Sequence, residues 1–345
     1  MVTPTLIRRV GDAAGTIVSA VTHPPYGWGT HRDFEVHADH DSVIVTFEDQ
    51  PCRVEYYHFP AGVHAPTVFI FNGFTANASV YGPLGKAIWH HEHNVVIISL
   101  PGHGQTDLPT HRPINYADTA EIMIAAMEAI RSETGMLGPI YLLGHSHGGG
   151  VVQAISARLG NEVNRAILLA AVGGPEWSRM MAKMVEALQQ IRECHIDLGQ
   201  ITSQGQLLVM LLGEGFLMVP PPWQLGGWIE ELALPFISGF RGIRRPGLLW
   251  SVAIDTILED AHSLEGYLES MRRAGVPTAC VAGDLDGVIN RRVIRTQAVL
   301  AGAGVFNHLS THASFLAPEA RTHLARMVTL PDDEFKLAVA RHRSH

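Results

Sequence analysis

The sequence predicts an α/β fold: a mostly parallel sheet, helices on both faces, and one long helical insertion. Three observations lead there. Short, fully apolar runs alternate with helical stretches, as expected for strands buried on both sides between crossover helices. The pentapeptide Gly144-His145-Ser146-His147-Gly148 falls between an apolar run, Pro139 to Leu143, and a small-residue, helix-compatible segment, Gly149 to Leu159. And one connection, from about Pro175 to Met271, holds no strand candidate at all, far more chain than a crossover needs.

Taken in order, residues 1–41 have no clear period, contain Pro24, Pro25, Gly27 and Gly29, and read as an irregular arm. Two β-rich runs follow, Ser42 to Phe47 and Arg53 to Phe59, joined as a hairpin through Asp49-Gln50-Pro51. The buried strands are then expected at Thr67 to Phe71, Val95 to Leu100, Ile140 to Leu143, Ala166 to Ala171, Thr278 to Ala282 and, more weakly, near Val305. Between them Ala117 to Ile130 places Ile122, Met123, Ala126, Met127 and Ile130 at helical spacing. The core is therefore assigned to 42–174 and 272–345, and a helical cap to 175–271. The cap is rich in Leu, Met, Phe and Trp (Leu207 to Leu212, Phe216, Trp223, Trp228, Phe236, Phe240, Trp250). Most of these side chains are expected to pack the cap, leaving some to line an apolar pocket.

The 345 residues suffice for a large core, and 46% hydrophobic against 17% charged residues marks a globular chain rather than a disordered one. A net charge of −8 argues against a nucleic-acid partner. Cys52, Cys194 and Cys280 are sparse, odd in number and without metal-ligand spacing, which fits a reducing compartment. Asp12, Gly11 and Gly15 interrupt any apolar leader core, and no apolar run reaches the length of a membrane span, so a cytoplasmic protein is expected. The clusters His37-Ala38-Asp39-His40-Asp41 and His90-His91-Glu92-His93 lack a second ligand group at recognised spacing and are read as solvated polar faces, not metal sites.

A serine at a sharp strand-to-helix turn is driven toward positive φ, and small neighbours let the backbone close around it. The hydroxyl then stands beside the unsatisfied N–H groups that begin the helix. A hydroxyl needs a base, an orienting acid and an oxyanion site before it is a useful nucleophile. An acid is available at the end of the Thr278–Ala282 strand, in Gly283-Asp284-Leu285-Asp286-Gly287, and a base after the last strand, in Ser310-Thr311-His312-Ala313-Ser314. Asp284 and, after the preceding strand, Glu176 compete with Asp286 as the acid. His308 competes with His312 as the base but falls inside a strand candidate. His103 is read as structural, and the rings of His145 and His147 as edges of the pocket.

With these pieces in chain order the sequence resembles the α/β-hydrolase fold superfamily, in its branch with a helical cap, over about Ser42 to Val328. Asn72-Gly73-Phe74 resembles the family's His-Gly-aromatic turn, and Pro101-Gly102-His103-Gly104-Gln105-Thr106 its proline-glycine-histidine-glycine loop. The resemblance implies an eight-stranded sheet, Ser146 as nucleophile, Asp286 as acid, His312 as base, and the backbone N–H groups of Phe74 and His147 as the oxyanion hole. It implies no metal or organic cofactor, and a serine hydrolase acting through an acyl-enzyme on a carboxylic ester or thioester of a largely apolar small molecule. C–C hydrolysis, acyl transfer, a cofactor-free lyase or cyclase step, or a non-turnover receptor of the same fold are the alternatives. Three positions depart from the family pattern: Asn72 for histidine, Asn290 where a proline often follows the acid, and Thr311 for the glycine before the base.

Overall fold

The computed structural model describes residues 33–74, 76–109, 112–182, 256–257, 260–284, 286, 289, 291–308, 312, 315 and 318–343. Eight strands form one sheet: β1 (Asp39–Phe47), β2 (Gln50–Phe59), β3 (Thr67–Phe71), β4 (Asn94–Ile98), β5 (Ile140–His145), β6 (Val163–Leu169), β7 (Thr278–Gly283) and β8 (Gly304–His308). Their order across the sheet is β1-β2-β4-β3-β5-β6-β7-β8. The first two strands pair antiparallel with each other and β2 antiparallel with β4; every later pair is parallel.

The central strands are apolar throughout because both of their faces are covered. Every residue of β3, β4 and β7 is buried. One apolar layer contains side chains from α2 (Tyr116–Thr134), α3 (His147–Leu159), α4 (Ser263–Arg273) and α5 (Arg291–Ala301). The other contains side chains from α1 (Gly82–Trp89), α6 (Pro318–Val328) and α7 (Asp332–Arg341). In α2 all five residues expected at helical spacing, Ile122, Met123, Ala126, Met127 and Ile130, are buried. Asn115 starts this helix with a reciprocal capping box to Asp118, and Gly135 ends it at φ 69°.

The hairpin differs from the sequence reading. Its turn is Glu48–Asp49, with φ of 47° and 61°, and Phe47 faces Gln50, so Gln50 and Pro51 belong to β2. Two successive positive φ values match the twist of an antiparallel pair, a preference that residues 49–51 as a proline turn obscured. β1 begins at Asp39, inside the segment read as irregular arm, and its polar start is the exposed edge of the sheet. Of the stretch assigned to the cap, residues 183–255 lie outside the described residues, including its aromatic and leucine-rich runs. Residues 175–182 are helical. Helix α4 falls within the assigned cap range yet sits on the core, because Leu264, Leu268 and Met271 form one apolar stripe that packs into the α2–α3 layer. No helix among the described residues is long and apolar enough to cross a membrane.

Arg165 of β6 is 0% exposed and fastens the C-terminal helices to the sheet. Its guanidinium donates to the carbonyls of Val328 (2.5 Å) and Leu330 (2.7 Å) and to Asp332 Oδ1 (2.7 Å), and lies 4.2 Å from the ring centroids of both Tyr141 and Phe335. A planar, five-donor cation suits a slot between two aromatic faces with acceptors at its rim; an ammonium does not. Arg165→Met is expected to lower the unfolding free energy by about 2–4 kcal/mol, toward the smaller figure because Asp332 keeps contact with water. Urea unfolding of the variant checks this, and a loss below about 1 kcal/mol would show that the slot is held by its aromatic walls alone.

Candidate active site

The site forms at the C-terminal edge of the parallel strands, where open α/β sheets place their ligands. Ser146 joins β5 to α3 with φ 53° and ψ −117°. Its N–H donates to Leu169 O (2.9 Å), and its carbonyl accepts from Gly149 N–H (2.9 Å) and Val172 N–H (3.1 Å). The sharpness of the turn depends on Gly148, where an added Cβ would collide with the carbonyls of Phe71 and Asn72. The backbone N–H groups of Phe74 and His147 have no acceptor among the described residues. These are the two amides that the family resemblance implies for an oxyanion site.

Asp286 and His312 meet. His312 Nδ1 lies 2.9 Å from Asp286 Oδ2, with the two side chains 3% and 1% exposed. The other carboxylate oxygen accepts the Ile289 N–H at 2.8 Å, and Asp286 N–H donates to Gly283 O at 3.2 Å, so the acid is oriented by its own turn. The competing acids are engaged elsewhere. Asp284 pairs with Arg291. Glu176 pairs with Arg179 (2.7 Å) and approaches Arg292 (3.9 Å). His308 lies in β8 with its Nε2 buried and unpartnered among the described residues, and burial pushes its pKa down to about 4. His312 makes no hydrogen bond to the Ser146 hydroxyl among the described residues, a contact that in free enzymes often tightens only on substrate binding.

Around the serine, two loops are fixed by polar side chains. Asn72, which departs from the usual histidine, is fully buried. It accepts Leu100 N–H (2.8 Å) and donates to the carbonyls of Gly73 (2.9 Å) and Ala76 (2.8 Å), so one side chain holds the turn after β3 against the strand β4 exit. Glu55 of β2 accepts from Ser99 Oγ and Gln105 N–H, both at 2.8 Å, and from His40 Nε2 at 2.9 Å. It thereby clamps the Pro101–Thr106 loop, with Thr106 Oγ1 donating back to Ser99 O (2.7 Å). A carboxylate in the middle of the apolar run Val54–Phe59 is the one local signal that would have found it. His40, read as part of a solvated cluster, is in fact half-exposed on β1, stacked 4.3 Å from Tyr57. No group of three or more His, Cys, Asp or Glu among the described residues is arranged to hold a metal ion.

Three further histidines flank the serine. His103 donates Nδ1–H to Pro101 O (3.0 Å) and meets the Phe74 ring edge-on at 6.0 Å. His147 stacks 6.2 Å from His103 and hydrogen-bonds Tyr116 Oη through Nδ1 (3.2 Å). Burial disfavours their charged forms, pushing the pKa of His103 down to about 4 and that of His147 to about 3; His145 is likewise driven well below its ordinary value, first by burial.

A model of the family described as serine aminopeptidase, S33, matches residues 62–207. A protein of Mycobacterium phage D29 named as a candidate non-heme haloperoxidase is 24% identical over 276 residues, covering 78% of this chain and 89% of that protein. A hydrolase from Pseudomonas aeruginosa PA01 superposes with a TM-score of 0.63 at 19% identity, over 84% of this chain and 98% of that one. The enol-lactonase of Burkholderia xenovorans LB400 superposes with a TM-score of 0.60 at 16% identity, over 83% and 98%. Together with the strand order, these likenesses show that the chain has the α/β-hydrolase fold.

The depressed histidines carry a pH dependence of stability. A group that stays neutral when folded but protonates near pH 6.5 when unfolded makes the unfolded chain bind more protons below that pH, so stability falls as pH falls from about 6.5 toward 4. His103 and His147 are each expected to cost about 1–2 kcal/mol between pH 7.5 and 5. Urea midpoints at the two pH values measure this, and replacing both residues with Gln should shrink the difference, leaving the part carried by His145 and His308; an unchanged difference would place the titrating groups elsewhere.

Proposed function

We propose that this chain is a serine hydrolase that cleaves a carboxylic ester or thioester through an acyl-enzyme. The observation that carries the reading is the conjunction at one sheet edge: a serine at φ 53° between strand and helix, an Asp286–His312 pair 2.9 Å apart, and two amides, of Phe74 and His147, without an acceptor among the described residues. The lactonase and hydrolase names of the fold neighbours add support, a lactone being a cyclic ester. In this reading His312 takes the proton from the Ser146 hydroxyl as oxygen attacks the acyl carbon, and returns it to the leaving alcohol or thiol. Asp286 accepts Nδ1–H, which keeps the lone pair of Nε2 toward the serine and offsets the charge that develops on the ring. Phe74 and His147 N–H donate to the oxygen that becomes negative in the tetrahedral intermediate. Water, activated by the same imidazole, releases the acid. The substrate is a largely apolar small molecule.

Ser146→Ala should abolish both ester turnover and labelling by a fluorophosphonate, a loss of roughly 10⁴-fold or more, with the melting temperature unchanged within a few degrees. Turnover at the wild-type rate in the folded variant would sink the serine mechanism. Asp286→Asn should cripple turnover while Asp284→Asn leaves most of it, since Asp284 is occupied by Arg291. The reverse ranking would move the acid by two residues. A series from acetyl to octanoyl p-nitrophenyl esters is expected to show kcat/KM rising with chain length before it levels, each buried methylene adding up to about 0.8 kcal/mol. A steady fall from acetyl onward would leave no room for an apolar pocket.

A further inference from the structure

Behind the serine, three buried hydrogen bonds run in series through four groups from different parts of the chain. Gly73 N–H donates to Tyr81 Oη (2.8 Å), Tyr81 Oη is 2.7 Å from His145 Nδ1, and His145 Nε2 is 3.1 Å from the carbonyl oxygen of His312. A backbone N–H can only donate and a carbonyl can only accept, so the direction of the series is fixed at both ends. Tyr81 oxygen receives the glycine N–H, and its single hydrogen goes to His145 Nδ1. That nitrogen is then the acceptor of the ring, the ring proton sits on Nε2, and Nε2–H donates to the His312 carbonyl. His145 has one workable state, the neutral Nε2–H tautomer. A second proton, on Nδ1, would face the Tyr81 O–H and leave that hydrogen without an acceptor.

The packing around these bonds admits little adjustment. Tyr81 is fully buried, and His145 and His312 nearly so. Phe315 stacks on Tyr81 at 4.5 Å and meets His145 edge-on at 4.9 Å. A Cβ at Gly73 would lie 2.7 Å from His145 Nδ1 and 3.3 Å from Ser146 Cβ, so the turn after β3 rests directly on the ring.

We propose that Tyr81 and His145 are positioning residues of this site, a one-way hydrogen-bond series that holds the Gly73–Phe74 turn, the Ser146 elbow and the His312 backbone in a single register. Neither residue touches a reacting atom. Their effect is to set where the Phe74 amide and the His312 ring stand relative to the serine hydroxyl, so that losing either bond separates groups that must act within about 3 Å of one another. The proposal rests on the serine-hydrolase reading for its kinetic consequence and on the bonding pattern alone for its tautomer.

The test uses the full chain and three variants. Tyr81→Phe keeps the ring and its stacking and removes only the oxygen; His145→Leu removes donor and acceptor; His145→Gln restores an acceptor and a donor about as far apart as the two ring nitrogens. Fluorophosphonate labelling rates at pH 7.5 are expected to fall about tenfold in Tyr81→Phe and about 30-fold or more in His145→Leu, and to stay within about threefold of wild type in His145→Gln. With p-nitrophenyl butyrate the losses should appear in kcat with KM nearly unchanged, because binding of the acyl chain is not altered. Wild-type labelling rates in both Tyr81→Phe and His145→Leu would overturn the proposal while leaving the serine mechanism standing. A His145→Gln variant as slow as His145→Leu would overturn the donor–acceptor account. Nitrogen-15 NMR of the wild-type ring, assigned by its disappearance in His145→Gln, needs neither substrate nor activity. It should show a neutral Nε2–H imidazole that does not titrate between pH 5 and 8. If the wild type is not labelled at all, the hydrolase reading fails and the spectrum decides the series: a ring that titrates in this range, or carries its proton on Nδ1, overturns it.

Discussion

Ser146 is held at φ 53°, a conformation that costs an ordinary L-residue on the order of 1–3 kcal/mol and persists only where the surroundings over-determine it. Here they do so through the sheet. The serine N–H is paired to Leu169 at the end of β6, and its carbonyl receives N–H groups from its own helix and from Val172 just beyond β6. The register of β5 on β6, with His145 opposite Leu169, therefore fixes the elbow before any side chain of the site is considered. The strain also explains the crowding by small residues. A bulkier neighbour would relieve the turn by moving it.

What could be read from the sequence and what could not divide along a physical line. Buried parallel strands announce themselves, since both faces demand apolar side chains, and all eight strands fall where apolar runs were read, with ends displaced by a few residues. Helix α2 was equally legible from the spacing of its apolar side chains. The turn at Glu48–Asp49 was not, because its positive φ values rest on residues with no strong local preference, while the nearby proline offers a more familiar turn. Helix α4 was drawn into the insertion because a helix on the core and a helix in a cap carry the same amphipathic pattern; only the layer it packs against separates them. Ser146, Asp286 and His312 were legible as candidates because each sits at the end of a recognisable strand. The holding roles of Tyr81, Asn72 and Glu55 were not. Their work is done through bonds to distant backbone groups, and no spacing in the chain encodes which backbone groups those will be.

The polar residues near the serine show a common economy of charge. Burial keeps His103, His145 and His147 neutral, each with a ring nitrogen committed to a neighbour. Asp286 and His312 form an ionisable pair, tied to each other at the sheet edge. A site surrounded by fixed cations would attract anions indiscriminately. One walled by neutral dipoles keeps its field for the place where negative charge develops, which is what an oxyanion-stabilising site requires. Asn72 in place of a histidine is consistent with this arrangement: it supplies three hydrogen bonds to the turn without adding a titratable group.

Arg165 has a consequence for how the chain comes to be folded. Its acceptors, the carbonyls of Val328 and Leu330 and the carboxylate of Asp332, are made more than 160 residues after it. Until those residues leave the ribosome, β6 cannot close over its guanidinium without burying an uncompensated cation, which is among the costliest defects a protein interior can hold. The packing around β6 is thus coupled to that of the C-terminal helices. It becomes final in the same event that seats the C-terminal helices, whose first member follows the segment carrying His312. A chain assembled this way completes the packing of β6 and of the segment carrying His312 together, once residue 332 has been made.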